Sequence, residues 1–370
     1  MMPPFPLRLL LLSALLLVAA VLAPRAATLD LYTESGIEVD VTAASAVEAN
    51  RIAIERAQRL GLERLLRRLA AAEDAARLPA VDRLPIERFV RGFTIDDEKR
   101  SATRWLGTVT VHYREDAIRA LLEQYGVAAV LEPSKPLLLL PMIEDGGKAR
   151  LATDSDPWRA AWLAEAGRNS LVNLVLPLAD LSDIATAARY EEEANPALLL
   201  EMAGRYGVEA AALVRAAIVE RGSDGLPARL ELRLRSVGDW PSVEEQASLV
   251  REAEESEERF WRRAATRARG WLDAAWKRDN LLRTDVRGRL RMVVPLADLA
   301  GWVQIRRGLE SVPEIRAVEI LRLSREQAEL EVEFVGDTGR LERRLSERGL
   351  QSIPEGGSWR LRAVEAGDGR

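Results

Sequence analysis

The run Leu137-Leu138-Leu139-Leu140-Pro141-Met142, followed by Asp145-Gly146-Gly147, decides how the chain folds. A continuous apolar run bounded by turn residues reads as a strand buried on both faces that leads into a loop. Downstream, a helix carries Trp158 and Trp162. Then come a strand at Leu171 to Leu176, helices at about 180–190 and 196–206, and a strand at Val208 to Val219. The turn Gly222-Ser223-Asp224-Gly225 leads to a last strand at Ala228 to Ser236. Strands alternating with helices give an α/β layer. A long helix from about Ser242 to Lys277 is expected to close this module, which spans residues 135–280. Trp261, Ala264, Ala265, Ala268, Trp271, Leu272 and Ala275 form its apolar stripe. Glutamates crowd its first half and arginines its second, as the helix dipole favours.

Upstream lies Glu132-Pro133-Ser134-Lys135-Pro136, which reads as a linker. Residues 28–131 read as strand, long helix, hairpin and helix. Partial alternation of Leu29, Leu31, Ile37, Val39 and Val41 surrounds an expected turn at Glu34-Ser35-Gly36. Ser45 is placed to cap the helix, whose Ala49, Ala53 and Ala57 recur every fourth residue so that it can sit close on a sheet. Phe93 to Arg100 and Thr103 to Tyr113 form the hairpin, with Trp105, Gly107, Val109, Val111 and Tyr113 on one side and His112 on the other. Downstream, residues 286–365 read as strand, helix, two strands, helix, strand, the order of a ferredoxin-like split βαβ unit. The fold class is therefore α/β and α+β, in three sheet-plus-helix modules.

Composition narrows the function. The 370 residues include no cysteine and one histidine, His112, which removes disulfides, thiolate metal sites and multi-histidine chemistry. No metal and no cofactor are expected. The formal charge is −5, a poor match for nucleic acid. Arg8, the apolar run Leu9 to Ala23 and the small residues Ala26 and Ala27 read as a signal peptide over residues 1–27, too short to span a bilayer comfortably. The alternative is an uncleaved inner-membrane signal anchor, the sole membrane attachment foreseen. The periplasm is the expected compartment.

Motifs for phosphate loops, dinucleotide binding, nucleophile elbows and zinc proteases are all lacking. Asp96, Asp97, Glu98, Asp154 and Asp156 remain as possible acid/base partners or as solvated turn residues. Two binding regions stand out. Lys99, Arg100 and Arg104 on the hairpin can form a cationic patch beside Trp105, unless Trp105 belongs to the core. Asp145, Trp158 and Trp162 follow the buried strand, where open α/β sheets place ligands. The string Val-Leu-Pro-Leu-Ala-Asp-Leu at 175–181 recurs almost unchanged at 293–299, either as a shared loop or as strand ends with aspartate caps.

The Ala-rich helix after Val39-Asp40-Val41-Thr42, the string Asp97-Glu98-Lys99-Arg100-Ser101 with Leu106 to Val111, and Ser134-Lys135-Pro136 resemble the proteobacterial domain-of-unknown-function family numbered 2066. That resemblance implies an envelope location and no established activity. Leu199 to Val219 is similar in pattern to the amino-terminal domain of the periplasmic Tol translocation protein. Together these features lead to the expectation of a non-enzymatic envelope adaptor or assembly factor that binds other proteins. The alternatives are a carboxylate-dependent enzyme on glycan or peptide, and a small-ligand-binding protein.

Overall fold

The computed structural model describes residues 29–282, 287–296, 298–336 and 338–363; residues 1–27, read from the sequence as a signal peptide, lie outside them. Three sheets with their helices follow one another along the chain. The first contains β1 (Thr33–Thr42), β2 (Val90–Arg100) and β3 (Arg104–Tyr113) in the order β1-β3-β2, with α1 (Ala46–Leu69) and α2 (Glu115–Gln124). Ser45 caps α1 by accepting the Glu48 amide. Ala49, Ala53, Ala57 and Gly61 repeat every fourth residue and all are buried, so α1 lies against the sheet with little side chain between. Glu34-Ser35-Gly36 is a bulge rather than a turn. Thr33 pairs with His112 and Ile37 with Val109, so β1 runs through it, and Gly36 absorbs the irregularity at φ +67°.

The second sheet is built around β4 (Leu137–Asp145), buried along most of its length as its apolar run dictates. Its order is β5-β4-β7-β8-β9, where β5 is Lys148–Leu151, β7 Ala210–Arg221, β8 Pro227–Gly238 and β9 Glu244–Val250; the short β6 (Leu174–Val175) pairs with β4. β4 and β7 are parallel, and the rest of the path is antiparallel. Helices α3 (Pro157–Ala166), α4 (Leu181–Glu193), α5 (Pro196–Arg205) and α6 (Glu257–Asn280) accompany it. Two expectations are corrected here. Gly146 and Gly147, both at positive φ, turn β4 back into β5 instead of opening a loop. The long helix also starts at Glu257, not Ser242, because Glu244–Val250 pairs with β8 and Glu254 takes a left-handed conformation at φ +62°. Ser256 then caps α6.

The third sheet comprises β10 (Arg287–Pro295), β11 (Ile315–Leu323), β12 (Gln327–Val335), β13 (Leu350–Glu355) and β14 (Ser358–Ala363), with α7 (Leu299–Glu310) and α8 (Thr338–Glu347). Its order, β11-β12-β10-β14-β13, is the split βαβ arrangement with one strand added. The extra strand β13 reverses the chain after α8, so β14 lies parallel to β10.

Buried side chains of the first sheet and of one face of the second form one continuous cluster, the other face of the second sheet packs with α4 and α5 in a second cluster, and the third module has a cluster of its own. α6 joins the modules. Its Phe260, Trp261, Ala264, Ala265, Ala268 and Leu272 are buried, and Trp261 lies 5.6 Å from Trp158 between ring centroids. Lys277 donates to the carbonyl of Ala70 at the end of α1 (2.8 Å), and Trp276 to that of Glu132 (3.3 Å). Ser134 is buried and accepts the Asn173 amide, so this part of the 132–136 segment is anchored. At its far end α6 exposes carbonyls that the third module satisfies: Arg340 donates to Asn280 O (2.7 Å) and to Leu281 O, while buried Glu314 holds Arg340 at 2.8 Å.

The closeness of α1 to its sheet is testable at Gly61. A Cβ there would fall on the Tyr113 hydroxyl and within 2.7 Å of Ile37 Cδ1, and Tyr113 is fixed by donating to Gln58 O. Gly61→Ala, which stabilises an ordinary exposed helix, is expected to cost about 1–3 kcal/mol in urea unfolding.

Candidate functional site

The hairpin residues named from the sequence do come together, but as neutralised pairs. Trp105 is fully buried, and its indole nitrogen donates to Glu98 at 3.1 Å. Arg100 binds both oxygens of Glu98 at 2.6 and 2.8 Å, and Arg104 holds Asp40 through two contacts, one of 2.8 Å. These arginines keep the carboxyls of Glu98 and Asp40 below their usual range, chiefly by hydrogen bonding. Lys99 stands exposed nearby. Asp145 and the tryptophans part company. Asp145 pairs with Arg221 at 2.6 Å on the sheet margin, whereas Trp158 and Trp162 are fully buried, edge to face at 5.5 Å.

The acidic residues are likewise dispersed. Asp96 accepts the Thr110 hydroxyl, Asp154 binds Arg159 at 2.7 Å, and Asp156 binds Arg150 at 2.6 Å while accepting the Thr153 amide. His112 bonds Thr33 Oγ1 at 2.8 Å. No group of three or more His, Asp or Glu among the described residues could hold a metal ion. The repeated string supplies helix caps: Asp180 accepts the Asp183 amide and Asp298 the Gly301 amide. Only the first copy adds a buried carboxylate, Asp183, which binds Arg205 and the Tyr206 hydroxyl, both at 2.6 Å. Glycine stands at the matching position of the second copy.

The polar cluster that spacing did not reveal lies where β1, α1, α3 and α6 meet. A cleft of about 650 Å³ opens there. The bulge turns Glu34 inward, 2.6 Å from Arg68, and Asn169 donates to its other oxygen at 2.8 Å. Burial nevertheless pushes the Glu34 carboxyl above the usual range, against the pull of Arg68. Arg68 also donates to the carbonyls of Leu31 and Ser170, tying β1 and α1 to the second module. Glu165 is buried, paired with Arg168 at 2.8 Å and bonded to Thr266 at 2.9 Å. Asp273 accepts the Ser170 hydroxyl at 2.7 Å. Arg269, 4% exposed, donates to the carbonyls of Glu165 and Arg168.

One signal for this site was present in the sequence. Arg269 stands four residues after Ala265 and three before Leu272, on the buried stripe of α6, where an unpartnered arginine would be costly.

Comparison with known proteins corrects the family resemblance. The matching family model, over residues 28–130, is Domain of unknown function (DUF8605), not the family numbered 2066. No curated protein matches the chain, and the likeness of Leu199 to Val219 to the Tol translocation protein is given up. The matched stretch holds β1 to β3, α1 and α2, hence Glu34, Arg64 and Arg68 of the cleft; its other wall lies beyond the match.

Asp156 gives a pH prediction. Arg150 foremost, with the Thr153 bonds, lowers its pKa to about 2, against 3.8 for a free aspartate. A depressed folded-state value contributes stability that is complete above pH 4 and is lost as pH falls towards 2. Discounted for the half-exposed Arg150, the contribution is about 1–2 kcal/mol. Asp156→Asn is expected to be less stable at pH 6, with the difference closing near pH 2 in acid-dependent thermal unfolding.

Proposed function

We propose that the protein is a non-enzymatic, exported envelope protein that binds other proteins, and that the open edge of β2 is its contact strand. The observation carrying this reading is the geometry of β2. It is the edge of the order β1-β3-β2 and is eleven residues long. α1 lies over β1 and β3, so Phe93 and Ile95, on the same face as buried Val111 and Val109, remain 43% and 37% exposed. Unpaired backbone groups beside alternating apolar side chains are what an added strand requires. Beyond Ile95 a register shift and the charges Asp96 to Arg100 close off the tip, confining the open part to about Val90 to Ile95.

The enzymatic alternative loses support, because Asp96, Glu98, Asp154 and Asp156 are each taken up by a different hydroxyl or arginine. Export rests on the reading of residues 1–27. No described helix is long and apolar enough to cross a membrane.

The test compares wild type with Phe93→Asp/Ile95→Lys, whose positions are already solvated and whose fold is checked by circular dichroism. A partner captured by wild type should bind the variant at least about tenfold more weakly. Hydrogen exchange in the purified complex should slow at residues 90–95. Equal binding by both chains, protection confined elsewhere, or turnover of a cell-wall substrate by the purified protein would each overturn the reading.

A further inference from the structure

The cleft between the first two modules contains more positive charge than its structural pairing uses. Four arginines line it, Arg64, Arg68, Arg168 and Arg269, against three carboxylates, Glu34, Glu165 and Asp273. Arg68 and Arg168 are matched with Glu34 and Glu165. Asp273 is occupied by the Ser170 hydroxyl and the Leu171 amide. Arg269 is buried, yet among the described residues it makes hydrogen bonds to carbonyls and no ion pair. Arg64 is exposed at the mouth, and among the described residues it too makes no ion pair. The carboxylates of Asp273 and Glu165 act on Arg269 through space without touching it, its Nε is buried with no hydrogen-bond partner among the described residues, and a further guanidinium at the entrance adds to the positive field.

The walls supply an independent observation. Gly36, Gly167 and Gly270 all line the cleft. A Cβ at Gly36 or Gly270 would meet nothing within 4 Å, and one at Gly167 would meet only Ala164 O, at 3.9 Å. Gly36 is explained by its positive φ. Gly270 is not: it sits inside α6, where glycine costs about 1 kcal/mol relative to alanine, and no neighbour approaches closely enough to demand it. Its effect is to leave that stretch of the cleft lining without a side chain.

We propose that this cleft binds a small oxyanion, a carboxylate or phosphate group on a compact molecule, seated over Gly270 with Arg64 at its entrance and the charge of Arg269 beneath it. The volume of about 650 Å³ suits a small ligand. Arg68 and Arg168, already engaged, frame the site and keep Glu34 and Glu165 from facing the anion as bare charges. The site is independent of any partner at β2.

Calorimetry on the full chain, with succinate and with inorganic phosphate at constant ionic strength against chloride, tests it. One saturable site for either anion is expected, and the anion that binds identifies the group. Arg64→Ala should weaken binding about tenfold or more. Gly270→Leu, which puts a side chain into the cleft without removing a charge, should do the same, while Gly270→Ala reports whether the helix itself tolerates a side chain there. No binding beyond chloride would overturn the proposal. So would binding that Arg64→Ala and Gly270→Leu leave unchanged, which would mark an adventitious ion only.

Discussion

The structure depends on the burial of one helix, α6, on several sides at once. Its apolar face completes the core of the second sheet, with Trp261 against Trp158. Its basic residues Arg269 and Lys277 reach backbone carbonyls of α3 and α1. Its last carbonyls receive Arg340 of the third module. A chain without cysteine has no covalent means of holding three modules in register, so packing and buried hydrogen bonds must do so. The desolvation of Arg269 and Lys277, which draws both below their usual pKa range, is tolerated because each finds carbonyl partners at a helix end or loop.

Many arginines outside α6 are paired locally. Arginines on the β2–β3 hairpin, the sheet margins and α8 are consumed by neighbouring carboxylates. The exposed pairs among these add little stability, but they remove the groups from chemistry. Arg64 and Arg269 face one cleft without ion pairs, and Phe93 and Ile95 stand uncovered along one strand edge. The two features lie on different parts of the surface and call for different occupants.

Local pattern made much of the fold legible. The four-residue alanine repeat, the Ser45 cap and the alternation from Trp105 to Tyr113 each have one structural solution, and the buried run of β4 has another. What local pattern left out was set by long-range pairing. The glutamates at 244 and 245 suit a helix N-terminus, yet they lie on β9 because Arg235 and Leu234 of β8 pair with them. The residues near Trp105 looked like a binding patch because the salt partner of Arg104, Asp40, is sixty-four residues away. The cleft was hidden for the same reason. Its residues come from β1, α1, the end of α3 and the middle of α6, and only Arg269 on an apolar stripe hinted that distant groups converge.

Native-state hydrogen exchange across the whole chain tests the central claim that α6 binds the first two modules into one cooperative unit. Buried amides of β3, in the first sheet, and of β7, in the second, should open with the same free energy and show the same denaturant dependence, because both sheets contribute to the one buried cluster that α6 completes. Distinct opening free energies, with β3 exchanging through an unfolding that leaves β7 and α6 protected, would contradict it.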